Sequence, residues 1–373
     1  MPNPRKIAFV LDDSLDKTDG VQQYILTLGQ WMRHRGVEVH YLVGHTERTD
    51  IPHIHSLSRN IQTHFNQNRM STPLPASKKL IKALLESEQF DAIHVQMPYS
   101  PFMAGRVITA APAQTKVIGT FHILPYSWLE KTATRFLSLI LWRTLRRFDT
   151  IYSVSEPARR FARRSFSVKS TVLPNVVNYT TFHAGKKIKK YDDGKINIVF
   201  LGRLVERKGC LHLLMALEQL HKQKLLGNVR VLICGKGQLR PELETYVREH
   251  HLKSVVNFVG FVSEEDKPHY LATADIAVFP STGGESFGIV LIEAMAAGSR
   301  VVLGGNNLGY ASVLGDRPEL LVSPTDTESF AKTLKHFIIS QRARKSTQKW
   351  QQEHVHQYDV AVVGNKLLET YMS

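Results

Sequence analysis

The chain has 373 residues, more than a single hydrophobic core usually serves, so we expect two domains of about 180 residues each. Lysine plus arginine (48) exceeds aspartate plus glutamate (33), and the net charge of +15 predicts a polyanionic partner, whether nucleic acid, an anionic membrane or a phosphorylated substrate. The chain has two cysteines, Cys210 and Cys234, which is too few for a disulfide framework, and their spacing is not that of metal ligands. No apolar run approaches the ~18 residues of a membrane-spanning helix.

The chain opens with a βα unit, an apolar strand at 6–11 followed by a helical pattern from 21 to about 35. Its first residues lack the apolar core of a signal peptide, so we expect a cytoplasmic protein whose membrane contact is at most peripheral. Further strands are predicted at 37–43, 91–95, 116–121, 150–154 and 170–173, separated mostly by helical patterns. This alternation predicts a parallel sheet covered on both faces, so the first half is Rossmann-like.

The second half repeats the alternation after a charged, glycine-containing segment at 183–195, which we interpret as the linker between domains. Its strands are predicted at 196–202, 229–234, 255–260, 275–280 and 300–303. Residues 56–76 are polar, contain prolines and show no clear periodicity, so we predict a mobile loop there. In open parallel sheets ligands bind beyond the carboxyl ends of the strands, where we expect the site.

The segment 281–300 combines a glycine-rich turn, two glutamates and a helix of small residues. Gly284 lies between an apolar strand and a helix predicted to begin near Ser286, so backbone amides can approach a phosphate there. Glu285 and Glu293 are eight residues apart, a little over two helical turns, so both can project towards the same end of the unit. Isolated glutamates in such a turn are commonly solvated, but the complete window favours a binding site.

The sequence TGGESFGIVLIEAMAAG resembles the core motif of the GT4 glycosyltransferases of GT-B fold, most closely the phosphatidylinositol mannosyltransferases. The resemblance implies an α/β fold with two Rossmann-like domains facing across a cleft: an acceptor-binding domain at 1–182 and a nucleotide-sugar-binding domain at 196–356. It also implies that a terminal helix at 357–373 crosses back to the first domain. The implied reaction is retaining transfer of a hexose, for example mannose from GDP-mannose, to a lipid headgroup such as phosphatidylinositol. The departing phosphate acts as the base, and no cofactor is implied.

A departing diphosphate is stabilised either by a divalent metal or by fixed cations. The chain contains no D-x-D sequence, but GRLVERKG places Arg203 and Lys208 after a strand. The resemblance assigns both residues to the distal phosphate of the donor, so we predict metal-independent catalysis. It assigns Glu285 to the sugar hydroxyls and Glu293 to the ribose. The other donor-binding residues implied are Gly20, Gly235, Val262, Lys267, Gly284, Ser286, Phe287, Gly288 and Ile289, with the Val262 backbone and the Lys267 side chain as candidates for contacting the base.

In the first domain, His122 ends a strand and matches the family histidine that contacts the transferred sugar. Gly20 matches the second glycine of the family's phosphate-closing loop, but Asp19 replaces the first. Gln96 and Met97 stand where the family often has histidine and glutamate. These departures leave the phosphate loop and the acceptor side open.

A helical segment at 76–88 presents Lys78, Lys79 and Lys82 on one face, with Leu80, Ile81, Leu84 and Leu85 assigned to the other. Lipid-active relatives dock on anionic membrane through a comparable basic cluster, which implies peripheral binding to the inner face of the cell membrane. The alternative is an ordinary surface helix. A second basic region at 135–148 mixes Arg135, Phe136 and Trp142 with Arg143, Arg146 and Arg147 and is also compatible with an interface.

Two other functions compete with lipid glycosylation. One is a GT4 enzyme acting on a soluble sugar or polyol. The other is a basic nucleic-acid-binding protein, but the chain contains no recognised RNA or DNA module, and its aromatic residues do not interleave with the basic runs as a stacking platform requires. We therefore predict a nucleotide-sugar donor and no nucleic-acid partner.

Overall fold

The computed structural model describes residues 5–16, 19–65, 68–74, 76–122 and 141–372. The chain divides into two compact units, one formed by Met1–Val176 with Val360–Ser373 and the other by Val177–Asp359.

The first unit contains a parallel sheet whose strands are arranged in the order β3-β2-β1-β6-β7-β8-β9. Its strands are β1 (Lys6–Leu11), β2 (Glu38–Gly44), β3 (Ile54–Ser58), β4 (Asn60–Phe65), β5 (Asn68–Pro73), β6 (Ala92–Gln96), β7 (Lys116–Phe121), β8 (Thr150–Ser153) and β9 (Thr171–Val172). From β1 the chain adds strands β2 and β3 on one side of the sheet and then continues from β6 on the other side. The point between β1 and β6 is therefore a topological switch point, where such sheets bind ligands.

The stretch at 56–76 was predicted as a mobile loop, and for its described residues the absence of regular structure is wrong. It contains the end of β3, which pairs in parallel with β2, and the antiparallel hairpin of β4 and β5. The apolar residues of β4 are Ile61 and Phe65, and those of β5 are Met70 and Pro73, too few to form the period-two pattern that predicts a strand.

Helices cover both faces of the first sheet because successive residues of a strand point to opposite sides. Phe9 and Leu11 of β1 pack in one core, and Ala8 and Val10 pack in the other. The helices described in this unit are Gly20–Arg33, Lys78–Glu88, Met103–Ala110, Glu156–Phe166 and Val360–Met372.

The terminal helix, Val360–Met372, packs in the first unit against the helix Gly20–Arg33. A Cβ atom on Gly364 would lie 2.6 Å from the ring of Trp31, so the two helices approach too closely there for any larger residue. The Tyr371 hydroxyl lies 2.6 Å from Nδ1 of the buried His94 in β6. These contacts tie the last residues of the chain to the first sheet.

The second unit contains a parallel sheet in the order β12-β11-β10-β13-β14-β15. Its strands are β10 (Ile196–Leu201), β11 (Val229–Cys234), β12 (Val256–Gly260), β13 (Ile276–Phe279), β14 (Val302–Gly305) and β15 (Leu321–Val322). Its helices are Tyr179–His183, Cys210–Lys222, Arg240–Glu249, Lys267–Thr273, Ile289–Ala296, Leu308–Leu314, Thr327–Ile339 and Gln341–His354. The prediction of two Rossmann-like α/β domains is confirmed.

Candidate functional site

Glu285 is the centre of a buried polar cluster beyond the carboxyl ends of β10 and β13. Its Oε1 accepts hydrogen bonds from Arg207 Nη1 at 2.5 Å, from Lys208 Nζ at 2.8 Å and from Ser281 Oγ at 2.9 Å. Arg207 Nη1 also donates to the carbonyl oxygen of Gly283 at 3.2 Å. The cations come from the loop after β10 and the carboxylate from the loop after β13, which are the two central strands of this sheet.

The charges of this cluster shift the pKa values of its members. Burial alone would raise the pKa of Glu285, but Lys208 and Arg207 outweigh it and lower the pKa to about 2. Burial lowers the pKa of Lys208, and the neighbouring charges of Arg207 and Arg203 lower it further, while Glu285 opposes them. The cluster therefore combines the positive charges of Arg203, Arg207 and Lys208 with the single negative charge of Glu285. The excess of positive charge suits an anionic ligand.

Glu293 lies in the helix Ile289–Ala296 and pairs with Lys267. The Lys267 ammonium lies 3.2 Å from Glu293 Oε1 and 2.6 Å from Glu264 Oε2. Burial favours the neutral amine, but Glu293 and Glu264 outweigh burial and raise the pKa of Lys267. The predicted ribose-binding and base-binding side chains are therefore joined in one buried ion pair, while Val262 lies in the loop after β12.

The glycine-rich turn leads into a helix that begins at Ile289, three residues later than predicted. Gly284 and Gly288 adopt positive φ angles, and Gly288 is the N-cap residue. Ser286 and Phe287 thus lie in the turn and not in the helix, and Phe287 is buried with its ring edge-on to Tyr358.

Gly235 lies beyond the carboxyl end of β11 with a φ of 156°. A Cβ atom there would be 1.8 Å from the carbonyl oxygen of Gly202, and one on Gly237 would be 2.2 Å from that of Leu204. Both glycines are therefore required by backbone packing, whether or not they also contact a donor.

His122 follows β7 in the first unit and is buried beside Gln96. Its Nε2 lies 2.7 Å from Gln96 Oε1, and the Gln96 amide donates to the carbonyl oxygen of His94 at 3.3 Å. Because an amide oxygen only accepts, Nε2 of His122 carries the proton and Nδ1 carries the lone pair. Burial lowers the pKa of His122 to about 3, so the imidazole is neutral at physiological pH.

Gly20 is the first residue of the helix Gly20–Arg33, which follows β1. Asp19 is the N-cap residue, but its side chain makes no capping hydrogen bond. Gln22 is buried, and its amide donates to the carbonyl oxygen of Ser14 at 3.1 Å. Gly20 and His122 thus both lie at the carboxyl edge of the first sheet.

Two family models match consecutive parts of the chain. Residues 18–180 match Glycosyltransferase Family 4, and residues 183–354 match Glycosyl transferases group 1. The chain belongs to the family 4 glycosyltransferases. This confirms the family that the motif TGGESFGIVLIEAMAAG predicted.

The glycosyltransferase is similar to named relatives over different shares of its length. It is 28% identical to a phosphatidyl-myo-inositol mannosyltransferase of Mycolicibacterium smegmatis over 375 residues, covering 98% of this chain and 93% of the relative. It is 32% identical to a D-inositol 3-phosphate glycosyltransferase of Corynebacterium urealyticum over 181 residues, which are 47% of this chain and 42% of the relative. A solved glycosyltransferase from Rickettsia africae superposes with a TM-score of 0.77 at 18% identity, covering 99% of this chain and 98% of the other. This structural likeness confirms the GT-B fold.

The basic helix of the glycosyltransferase, Lys78–Glu88, exposes all three predicted lysines. Ile81 and Leu85 are buried, but Leu80 is 49% exposed, so its assignment to the buried face is wrong. Leu80 is thus an exposed apolar side chain on the same helix as the three lysines. Lys82 pairs with Glu86 at 3.6 Å.

In the second basic region, Arg135 and Phe136 lie outside the described residues. Trp142 is 46% exposed, with the Arg146 guanidinium 4.6 Å from its ring centroid. Among the helices that the structure describes, none has the length and apolar character needed to cross a membrane.

Sequence reasoning missed two residues that the structure places beside predicted site residues. Arg207 stands between the chosen Arg203 and Lys208, yet it is the more deeply buried of the two cations that contact Glu285. Gln96 was noted only as a departure from the family pattern, yet it holds His122. The R-K pair of GRLVERKG was the available signal for Arg207; no sequence pattern pointed to Gln96.

Proposed function

We propose that this glycosyltransferase transfers a hexose from a nucleotide-sugar to a lipid headgroup at a membrane surface, with GDP-mannose and phosphatidylinositol as the first substrates to test. The observation that carries the donor half of the proposal is the buried cluster of Arg207, Lys208 and Glu285. Phosphate groups bind where fixed cations and backbone amides converge at the carboxyl edge of a parallel sheet.

In the proposed reaction the cationic cluster stabilises the departing diphosphate without a metal ion. Lys208 and Arg203 contact the phosphate, and Glu285, oriented by Arg207, accepts the sugar hydroxyls. Among the described residues, the buried Nε of Arg207 has no hydrogen-bond partner, so a ligand oxygen there would satisfy a costly unpaired donor. The acceptor hydroxyl attacks from the face that the nucleotide leaves, with the departing phosphate as base and retention of configuration.

The proposed lipid acceptor is supported by the relatives named as phosphatidyl-myo-inositol mannosyltransferases. It is also supported by the basic helix, which exposes both the three lysines and the apolar Leu80. Each basic residue near an anionic surface contributes about 1 kcal/mol, and a neighbouring apolar side chain adds burial in the lipid headgroup region. We place the enzyme on the inner face of the cell membrane.

A second candidate acceptor is a soluble polyol or sugar. It is favoured by the similarity to a D-inositol 3-phosphate glycosyltransferase over nearly half of the chain. The two candidates share the donor reaction and differ only in the acceptor.

The deciding experiment first screens GDP-hexoses and UDP-hexoses by thermal shift, because a ligand that binds only the folded state raises the unfolding temperature. The best donor is then incubated with phosphatidylinositol vesicles or with soluble inositol phosphate, and the products are identified by mass spectrometry. The proposal requires GDP-mannose to give a mannosylated lipid. Transfer only to the soluble acceptor would establish the second candidate. If none of the hexose donors supports transfer to either acceptor, both candidates are overturned.

A further inference from the structure

The amino edge of the first sheet holds three histidines and two glutamates, in a group separate from the predicted donor and acceptor residues. His40 lies in β2 and is buried, His53 immediately precedes β3, and His55 is the second residue of β3. Glu38 is the first residue of β2, and Glu88 is the last residue of the basic helix. Because the strands are parallel, this group and His122 lie at opposite edges of the same sheet.

His40 has the geometry of a histidine prepared to bind a metal ion. Its Nε2 donates to Glu38 Oε1 at 2.8 Å, so the lone pair resides on Nδ1. Metal-binding histidines characteristically donate their other ring nitrogen to a carboxylate, which fixes the tautomer and makes the ligand more basic. Glu38 supplies that contact here.

The Nδ1 atom of His40 lies 2.9 Å from Nε2 of His55, and the two rings are inclined by only 5°. Two nitrogens bound to one tetrahedral zinc ion are about 3.3 Å apart, so His55 needs only a small displacement and reorientation to admit the ion. His55 is partly exposed, and burial lowers its pKa, which favours the neutral imidazole that a metal requires.

Glu88 completes a set of three donors. One ring nitrogen of each histidine and one carboxylate oxygen of Glu88 lie within 4.8 Å of one another, and Glu88 Oε2 lies 3.9 Å from Nε2 of His40. Two imidazoles and one carboxylate form a donor set that suits zinc and neighbouring transition metals, in contrast to the all-oxygen sets of magnesium and calcium.

We propose that His40, His55 and Glu88 bind one divalent transition-metal ion of the zinc class, with Glu38 as the positioning residue of His40. The ion joins β2, β3 and the end of the basic helix, so its function is to stabilise the first unit rather than to take part in transfer. Lys6 now lies 2.9 Å from Glu88 and 3.4 Å from Glu38, and it competes with the ion for the same carboxylates.

The test is titration of the tag-free, chelator-treated full chain with zinc sulfate. Isothermal titration calorimetry measures the affinity and stoichiometry, and thermal unfolding with and without zinc measures the stabilisation. Wild type should bind one equivalent and unfold at a higher temperature with zinc. His55→Ala and Glu88→Gln should each weaken binding by more than the roughly 10- to 100-fold loss that Glu38→Gln causes through His40. His34→Ala, which removes an exposed histidine elsewhere in the first unit, should bind as wild type does.

Lys6→Met separates coordination from a general effect of mutation. It removes the competing cation, so zinc binding should tighten, whereas a variant that merely damages the fold would bind less. Three outcomes would overturn the proposal: no stoichiometric binding to wild type, binding unchanged in His55→Ala and Glu88→Gln, or binding lost only when His53 is replaced. The last result would assign the ion to the alternative group of Glu38, His40 and His53, whose ligand atoms are equally close.

Discussion

Replacing Arg207 should reveal how strongly the fold depends on the cluster around Glu285. The guanidinium is 5% exposed and donates to both the Glu285 carboxylate and the Gly283 carbonyl. Arg207→Met keeps most of the apolar length of the side chain but removes the charge and both hydrogen bonds. Glu285 would then retain Lys208 and Ser281 as partners.

The magnitude follows from the pKa of Glu285. A shift from 4.5 to about 2 corresponds to roughly 3 kcal/mol of preference for the ionised form in the folded state. Lys208 is the larger of the two charged causes and Arg207 the next, so we take the loss of Arg207 to remove about 1 to 2 kcal/mol of this preference. The lost bond to Gly283 adds about 1 kcal/mol, giving a total of about 2 to 3 kcal/mol.

The sign of the pH dependence follows from the same shift. The folded-state pKa of Glu285 lies below its ordinary value of 4.5. Its stabilisation is therefore complete above about pH 4.5 and is lost as the pH falls towards 2. The deficit of Arg207→Met should be largest at pH 7 and should shrink as the pH falls below 4.5.

Differential scanning calorimetry of the full chain measures this deficit. For a unit of this size we expect the unfolding temperature to fall by about 4 to 12 °C at pH 7, with Arg207→Lys intermediate because it keeps the charge. Arg230→Met is the control, because it removes an arginine from an ion pair with the more exposed Asp193 in the same unit, and it should cause little change. If Arg207→Met behaves like this control, or its deficit is the same at pH 3 as at pH 7, the Glu285 ion pair does not stabilise the unit.

Three further predictions concern activity. Lys208→Ala or Arg203→Ala should remove about 2 to 4 kcal/mol of leaving-group stabilisation and slow transfer by two to three orders of magnitude. EDTA should leave the rate unchanged. If EDTA abolishes transfer and magnesium restores it, metal-independent catalysis is refuted. Glu285→Gln should abolish transfer while retaining nucleotide affinity, and Glu293→Gln should weaken the nucleotide itself by calorimetry, so equal losses in both variants would contradict the separate roles. Replacement of the three lysines of the basic helix by glutamate should abolish sedimentation with anionic vesicles but leave nucleotide binding unchanged. The control replaces Lys222, Lys224 and Lys253 in the second unit by glutamate and should change neither sedimentation nor nucleotide binding. If vesicle binding survives the first change, the membrane interface lies instead in the region around Trp142.

The sequence allowed both sheets to be predicted because the central strands of parallel sheets are buried on both faces. Such strands appear as continuous apolar runs, as in KIAFVL and INIVFL, and each is followed by a turn and a helical pattern. The hairpin of β4 and β5 has no such run, because few of its residues are apolar and its two strands form a separate two-stranded sheet. Strands of this kind depend on tertiary contacts that a local pattern does not contain.

The candidate site was predictable where backbone geometry demands particular residues, but not where burial decides which charged side chain is used. The glycines at 284 and 288 and the glutamate spacing are local properties of the chain. The contacts of Arg207 and Lys208 with Glu285 depend on a second loop, 78 and 77 residues away along the sequence. Gln96 and His122 likewise meet because β6 and β7 are neighbours, and their 26-residue separation contains no signal of this pairing.

The proposed zinc site changes how any metal effect on this enzyme must be interpreted. The ligands lie at the amino edge of the first sheet, whereas His122 and Gly20 lie at its carboxyl edge and the cations that contact Glu285 belong to the second unit. A chelator can therefore act in two separable ways. It removes zinc from His40, His55 and Glu88 and so lowers the stability of the first unit, and it slows catalysis only if a metal stabilises the departing diphosphate. His55→Ala distinguishes them, because a variant that no longer binds zinc should transfer hexose at the wild-type rate below its unfolding temperature and should be indifferent to EDTA. If that variant remains folded but loses activity, and zinc has no effect on its rate, then the amino edge influences catalysis through the strands themselves and the separation of the two edges is wrong.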